Sequence, residues 1–472
     1  MKVRTIFGPY EPDKPPHLQD GLSDMGNAYA TSNGYKPVGI FGGITTALPA
    51  AFNGGASFVA SDSTGSLIAG TATGLYRYSG GAWIPYVTGL TVAYRWQFTQ
   101  FGDLAIAVNG AVTRKVDLRG GTAVAVPGAP TALCVATVRD IVVYGQADGN
   151  AAMVQWSAFG NQDGNTAGLN QAGFQPMLTG GAVMGIAGGE YGIIVQRNRV
   201  VRMSYTGDPD VPFQFDEISA NIGAISRGSI VQAGRLVFFL SDRGFMMCDG
   251  NEVKPIGLER VDRTFFANYA RPSLVQMYAA VDPRQNTVGW MMPGRPGLML
   301  LYDWALDKWA PIRTNAVAML SGFSANTTLE ALDAIYPNLD TMPYSLDDAR
   351  FEGGDPLFML VDNSNVFGTL SGSNMAAYFA CPFQEYAEGR VARLRSVRPL
   401  TNAISGVSVS LDARARIGDG AGAKTQSTLT QSGFIPVRSA ARYIAPRLDF
   451  VDSAAWSYVQ GLEVDVSAGG GR

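Results

Sequence analysis

Ser66-Leu-Ile-Ala-Gly-Thr-Ala-Thr-Gly-Leu-Tyr-Arg-Tyr-Ser-Gly-Gly-Ala-Trp83 sets two short apolar runs on either side of Gly70 to Gly74 and adds a second turn at Gly80-Gly81. Each run is too short for a stable helix, and glycine pairs favour chain reversal, so the stretch predicts a meander of three strands. Comparable units recur downstream. They are Asp103 to Val116, Arg139 to Trp156, Tyr191 to Ser204, Arg235 to Cys248 and Thr287 to Tyr302. Their first strands start roughly 35 to 55 residues apart, the span of a propeller blade. The units repeat a pattern and not a motif.

Several of these strands are apolar at both odd and even positions, as in Ile141 to Tyr144 and Leu236 to Leu240, so protein must cover both faces. The intervals between them hold turn residues and no helical stretch of useful length, which leaves neighbouring sheets as the cover. Radially stacked blades meet that requirement and protect sheet edges by ring closure. The count of units favours six blades and allows seven; a series of stacked sandwiches is the alternative. Composition agrees with an all-β chain. Glycine at 57 copies and proline at 25 exceed what helix interiors accept, while 46% hydrophobic against 16% charged residues implies extensive burial in the fold or in an assembly.

Two stretches look helical, Leu258 to Tyr269 with Val261 and Phe265 on one face, and Thr328 to Leu339 with Leu329, Leu332 and Ile335. Beyond Pro356 to Val361 the pattern changes. Val407, Val409, Leu411, Ala413, Ala415 and Ile417 alternate with Ser408, Ser410, Asp412, Arg414 and Arg416, and Leu462, Val464 and Val466 alternate with Glu463 and Asp465. Strands with one dry and one wet face predict a separate antiparallel β-sandwich. The resulting division is an extended N-terminal segment at 1–48, a propeller at 49–325, a helix-containing connection with the last hairpins at 326–385, and a sandwich at 386–472 ending in a mobile Gly469-Gly-Gly-Arg472 tail.

The residues offer little chemistry. Cys134, Cys248 and Cys381 are far apart and read as buried thiols, His17 is the single histidine, and no metal spacing, Walker or Rossmann glycine pattern is present, so no cofactor is expected. Asp282, Asp303 and Asp307 lack the alternating Asp/Asn loop of a calcium site. Adjacent carboxylates at Asp216-Glu217 and Asp347-Asp348 keep a propeller glycan hydrolase open as the alternative function, although the Ser-x-Asp-x-Gly-x-x-Trp box of sialidases is unmatched. Exposed Trp83 and Trp309 would be the aromatics of a receptor-binding lectin. The opening Met1-Lys-Val-Arg-Thr-Ile-Phe lacks the apolar core of a secretory signal and no run is long enough to span a membrane, so synthesis in a cytoplasm is expected.

One charge feature carries functional content. Nine arginines and Lys424 lie between Arg390 and Arg447, against Asp412 and Asp419, in a chain of net charge −3. Arg393 and Arg395 are expected on one strand face, as are Arg414 and Arg416. Such rows suit carboxylates on a partner protein or nucleic-acid phosphates, and the lack of interleaved aromatics speaks against base stacking.

In texture and order the chain resembles the tail hub or nozzle proteins of short-tailed bacteriophages. The resemblance rests on Gly26-Asn-Ala-Tyr29 with Gly34-Tyr-Lys-Pro37, Ala69 to Tyr76, Gln100 to Gly110, Val154-Gln-Trp-Ser157, Leu332 to Asp340, Gly389 to Pro399 and Gly461 to Val466. It implies a non-enzymatic virion protein of the tail, a β-propeller with added β domains in a homohexameric ring below the portal and adaptor. DNA would pass along the axis without specific binding, and tail fibres or spikes would be neighbours. No active site comes with the resemblance.

Overall fold

A computed structural model describes residues 1–15, 19–62, 64–323, 356–419 and 425–468. Among these residues seven four-stranded antiparallel sheets follow one another. The opening meander supplies three strands of the first, Gly65–Gly70, Leu75–Ser79 and Ala82–Val87, and Gly55–Val59 is the fourth. Ser79 pairs with Ala82 across Gly80 and Gly81, both at positive φ, 58° and 78°, which glycine adopts without steric cost. Blades two to six occupy residues 97–125, 134–176, 183–219, 231–255 and 278–314.

The ring closes with seven blades, the larger of the two counts that the sequence allowed. Ala318–Phe323, Pro356–Val361 and Phe367–Asn374 are the first three strands of the seventh, and Gly39–Gly43, from far upstream, is the outermost. The propeller therefore ends at Asn374 and not at residue 325, and 356–374 belongs to a blade and not to a connection. Pairing between residues some 330 apart leaves no local trace. At the joint, a Cβ on Gly368 would lie 2.2 Å from the Gly42 carbonyl oxygen, so only glycine lets the two strands close.

Radial stacking explains the strands that are apolar on both faces. In blade three, Ile141 and Val143 pack with Ile194 and Val201 of blade four, while Val142 and Tyr144 from the same strand pack with Ile106 and Val108 of blade two. Blade four repeats the arrangement: Ile194 faces back, and Ile193 and Val195 face Val237 and Phe239 of blade five. Leu67 and Ala69 of blade one meet Leu320, Met359 and Phe367 of blade seven, which closes the ring. Burying each such side chain is worth about 1.5–3 kcal/mol, so the interfaces between blades are the main cohesive term. Near the axis, polar groups stitch neighbouring blades. Gln100 Nε2 donates to Val59 O (2.8 Å), Thr137 Oγ1 to Gln100 O (2.7 Å), and Val281 N to Ser321 Oγ (2.8 Å).

The sandwich is not confined to 386–472, because the N-terminal segment builds part of it. One sheet runs Ala28–Thr31, Gly34–Pro37, Val459–Ala468, Ala392–Thr401, Ile435–Ala441, with Lys2–Ile6 also paired to Val459–Ala468. The other runs Asp24–Gly26, Ala377–Ala380, Tyr443–Phe450, Val407–Arg414, Thr425–Thr428. Val407, Val409 and Leu411 are buried as their alternation requires, facing a core that holds Leu394, Val397, Leu462 and Val464. Residues 1–37 thus contribute four strands where an extended segment was expected. The sandwich is clamped to blade six: Asn27 N donates to Pro311 O (3.0 Å), Arg313 N to Asn27 Oδ1 (2.7 Å) and Lys308 Nζ to Thr31 O (2.7 Å).

Of the two expected helices, 328–339 lies outside the described residues, as do His17, Asp347-Asp348 and the 469–472 tail. The other is helix α1 (Asp262–Asn268), with Val261 and Phe265 buried beneath it. It starts four residues later than Leu258 because Glu259 sits at φ 59°, which is not helical. Its exposed donors are satisfied from a distance: Asp13 accepts from Arg263 N (2.7 Å) and Thr264 N (2.8 Å).

Asp262 is left buried, with Oδ1 accepting from Phe245 N (3.1 Å) and Oδ2 without a partner among the described residues. Burial pushes its carboxyl up to about 7, against the Phe245 hydrogen bond and with the Asp13 charge adding to the rise. Because the folded value exceeds the unfolded one, this group favours folding fully below pH ~4, and that contribution is lost as pH rises through about 7. Asp262→Asn should gain about 2–3 kcal/mol over the natural protein at pH 8 and nothing at pH 4, read as urea midpoints. Equal gains at both pH values would show that the carboxyl is not the cause.

Candidate partner-contact surface

Arg393 and Arg395 lie on Ala392–Thr401, where Leu394 and Val397 point into the core and both arginines face solvent. A register shift at Arg395 is followed by Arg398 on the same exposed side. None of these three guanidinium groups has an ion-pair partner among the described residues. The strands beside them add charge that the sequence reading did not assign to this face. Arg438 is exposed on Ile435–Ala441, and Lys2 and Arg4 come from the N-terminal strand. Glu463, itself buried, takes Lys2 Nζ at 3.1 Å and Arg4 Nε at 3.1 Å. Six cations, Lys2, Arg4, Arg393, Arg395, Arg398 and Arg438, therefore share one sheet face with Glu463 and Asp465. Only the pairing of the first strand with Val459–Ala468 brings Lys2 and Arg4 here, so no local signal could have found them.

Arg414 and Arg416 do not join this row. Their strand, Val407–Arg414, is in the opposite sheet and ends at Arg414, so the expected shared strand face is not formed. Arg414 is consumed internally. It donates to Asp412 Oδ2 (2.8 Å), Ile417 O (3.1 Å) and Asp419 O (2.8 Å) and covers the Phe383 ring at 4.3 Å. Arg416 is exposed beyond the strand end, its backbone N–H held by Asp419 Oδ2 (2.8 Å). The arginine-rich hairpin turns back at this point, which the unbroken alternation through Ile417 concealed.

At the far end of the Arg393–Arg398 row the surface opens into a hollow of about 290 Å³, bounded by Arg398, Leu400, Ala403, Leu429, Tyr458 and Gln460. Thr401 Oγ1 donates to Tyr458 O (2.6 Å) and holds its rim. Cations beside a partly apolar hollow form a surface able to take an acidic segment with one apolar anchor.

The other candidates resolve into structural roles. Asp216 and Glu217 project to opposite faces of Phe213–Ser219, Glu217 2.5 Å from Arg199 and Asp216 3.7 Å from Arg202. Asp282 accepts from Arg284 N and Asp303 from Ala305 N and Leu306 N, while Asp307 pairs with Arg260 at 2.6 Å. Trp83 and Trp309 are buried, with their indole N–H groups on Thr46 O (2.8 Å) and Ile256 O (3.2 Å), so the expectation of lectin aromatics at these positions is corrected. Both had to be buried to lock one blade to its neighbouring segment. Among the described residues no helix is long and apolar enough to cross a membrane.

No family model and no curated protein matches the chain. Solved structures similar to it include the RRP9 WD40 repeats, with a TM-score of 0.36 at 9% identity over 60% of this chain and 89% of that one. The BBS1N structure in complex with ARL6DN gives 0.41 at 10% identity over 70% and 97%. The extracellular domain of a hybrid two-component system from B. thetaiotaomicron gives 0.42 at 11% identity over 78% and 45%. Such likenesses concern the fold alone, and what is shown of this chain is a β-propeller joined to a β-sandwich.

Proposed function

We propose that this chain is a non-enzymatic structural component of a bacteriophage tail, one copy of a homohexameric ring below the portal and adaptor through which DNA passes. The observation that carries the reading is a set of large apolar side chains left exposed on the outer parts of blades three and four. Phe159, Leu169, Phe174, Leu178 and Val211 are 45–82% exposed, a concentration that a monomer has no reason to keep and that a neighbouring copy would cover. Cyclic closure needs head-to-tail contacts between unlike patches, so the surface that receives this rim lies elsewhere on the chain. A net charge of −3 suits a conduit, since a strongly basic lumen would hold the duplex by counterion release. The basic sheet face then meets an acidic adaptor, tail fibre or spike.

Particles produced from the genome that encodes this chain should carry it on the tail axis in electron cryomicroscopy, with six copies per tail. Finding the protein in the lysate and never in particles removes the proposal. Within particles, Arg393→Glu combined with Arg395→Glu and Arg398→Glu should leave the ring intact and lower the occupancy of the protein bound next to it at least tenfold, measured by quantitative mass spectrometry. Unchanged occupancy would mean that the basic face is merely solvated.

A further inference from the structure

The propeller's own axis opens at one end into a cavity of about 270 Å³. It lies where the first strands of blades one, two, five, six and seven begin, and Phe52, Phe98, Ile230, Val231, Tyr278 and Met319 form apolar parts of its wall. Among the described residues two arginines line it, Arg95 and Arg227, and no aspartate or glutamate does. An axial site of this kind is independent of the ring reading, because each copy carries its own propeller axis.

Arg95 is held rigidly. Its Nη1 donates to Met277 O at 2.7 Å and its Nη2 to Gln276 O at 3.4 Å, and the guanidinium covers the Tyr278 ring at 3.5 Å. The backbone of Gly228 makes room for it, since a Cβ there would lie 2.7 Å from Nη1 and 2.0 Å from Met277 O. Carbonyl oxygens and a ring face satisfy geometry without neutralising charge. Burial holds the Arg95 guanidinium below its ordinary range, and the Arg227 charge pushes the same way.

Arg227 is less provided for. Its guanidinium stands 5.9 Å from the Tyr94 ring, its side chain donates no hydrogen bond among the described residues, and its Nε is out of reach of solvent with no partner. An orphaned buried donor destabilises the fold and a like-charged neighbour adds to that, so the free cavity is an arrangement that an anion would relieve. Two guanidinium groups present forked donors suited to tetrahedral or planar oxyanions. The apolar wall suits a compact organic body, and the volume limits it to roughly the size of one aromatic ring with its charged group.

We propose that the axial mouth binds a small phosphate monoester, the dianion bridging Arg95 and Arg227 and the organic group lying against Tyr278, Phe52 and Met319. Phenyl phosphate is the probe, titrated into the full-length protein by isothermal calorimetry, with benzoate and inorganic phosphate as the other arms. Saturable binding with 1:1 stoichiometry is expected, at least about tenfold tighter than benzoate, which has one charge, and than inorganic phosphate, which has no apolar body. Arg227→Gln is the decisive variant because that side chain donates no hydrogen bond among the described residues. It should weaken phenyl phosphate at least about tenfold while near-ultraviolet circular dichroism stays that of the natural protein, and Arg227→Lys should recover part of the loss. Absence of saturable binding, an unchanged affinity in Arg227→Gln, or inorganic phosphate binding as tightly as phenyl phosphate would each overturn the proposal.

Discussion

A chain lacking residues 1–43 is expected to lose cooperative folding altogether and to be recovered in the insoluble fraction. The deletion removes five strands from three different sheets. Gly39–Gly43 is the outermost strand of blade seven, Lys2–Ile6 and the Ala28–Thr31/Gly34–Pro37 hairpin extend one sandwich sheet, and Asp24–Gly26 edges the other. Side chains from the same segment fill the shared core: Phe7 stacks on Phe379 at 5.2 Å, and Tyr35, Leu22 and Met25 are fully buried. The ion pairs of Glu463 with Lys2 and Arg4 would be lost, and helix α1 would lose Asp13. Removing the buried Phe7, Leu22, Met25 and Tyr35 side chains costs about 2–5 kcal/mol each, so together with the lost strand pairing the sum exceeds the 5–15 kcal/mol by which proteins are usually stable. Circular dichroism of the deletion chain should show no sharp thermal transition. A transition at the natural midpoint would show that the N-terminal strands decorate a core that stands without them.

Trp290→Ala should lower stability by about 3–5 kcal/mol, the largest effect expected of a single substitution. Trp290 is 1% exposed in blade six. Its ring lies 4.6 Å from Phe245 and 5.8 Å from Trp309, stacked on the latter, and its Nε1 donates to Ser229 O (2.9 Å) at the entry to blade five. Truncation would open a cavity among large aromatic side chains that cannot relax into it, and would leave the Ser229 carbonyl without its donor. Trp290→Phe should keep most of the packing and lose mainly the hydrogen bond, falling between the two. Urea midpoints of the three proteins test this order. A loss below about 1 kcal/mol for Trp290→Ala would mean that blades five and six are held together by other contacts.

Both predictions follow from one arrangement: the N-terminal segment passes through the sandwich and then closes the propeller. That closure ties the ring together, because no blade can peel away without also unpairing Gly39–Gly43 or breaking an interface such as that of Leu67 with Phe367. The basic sheet face and the exposed apolar side chains of blades three and four sit on this frame.

By itself the sequence determined what depends on neighbours a few residues apart. Alternation in Val407 to Leu411 fixed which side is dry, the double apolar parity of Ile141 to Tyr144 demanded a sheet on each side, and glycine pairs such as Gly80-Gly81 marked reversals, because side-chain direction in a strand repeats every two residues and burial follows from it. Tertiary structure alone decided the seventh blade, the four N-terminal strands of the sandwich, the separation of Arg414 from Arg393 and Arg395, and the meeting of Arg95 with Arg227. Each of these depends on which strand edge finds which. Backbone hydrogen bonds are the same for every sequence, so pairing over hundreds of residues is chosen by the whole set of buried faces fitting together and not by any stretch of chain that could be read alone.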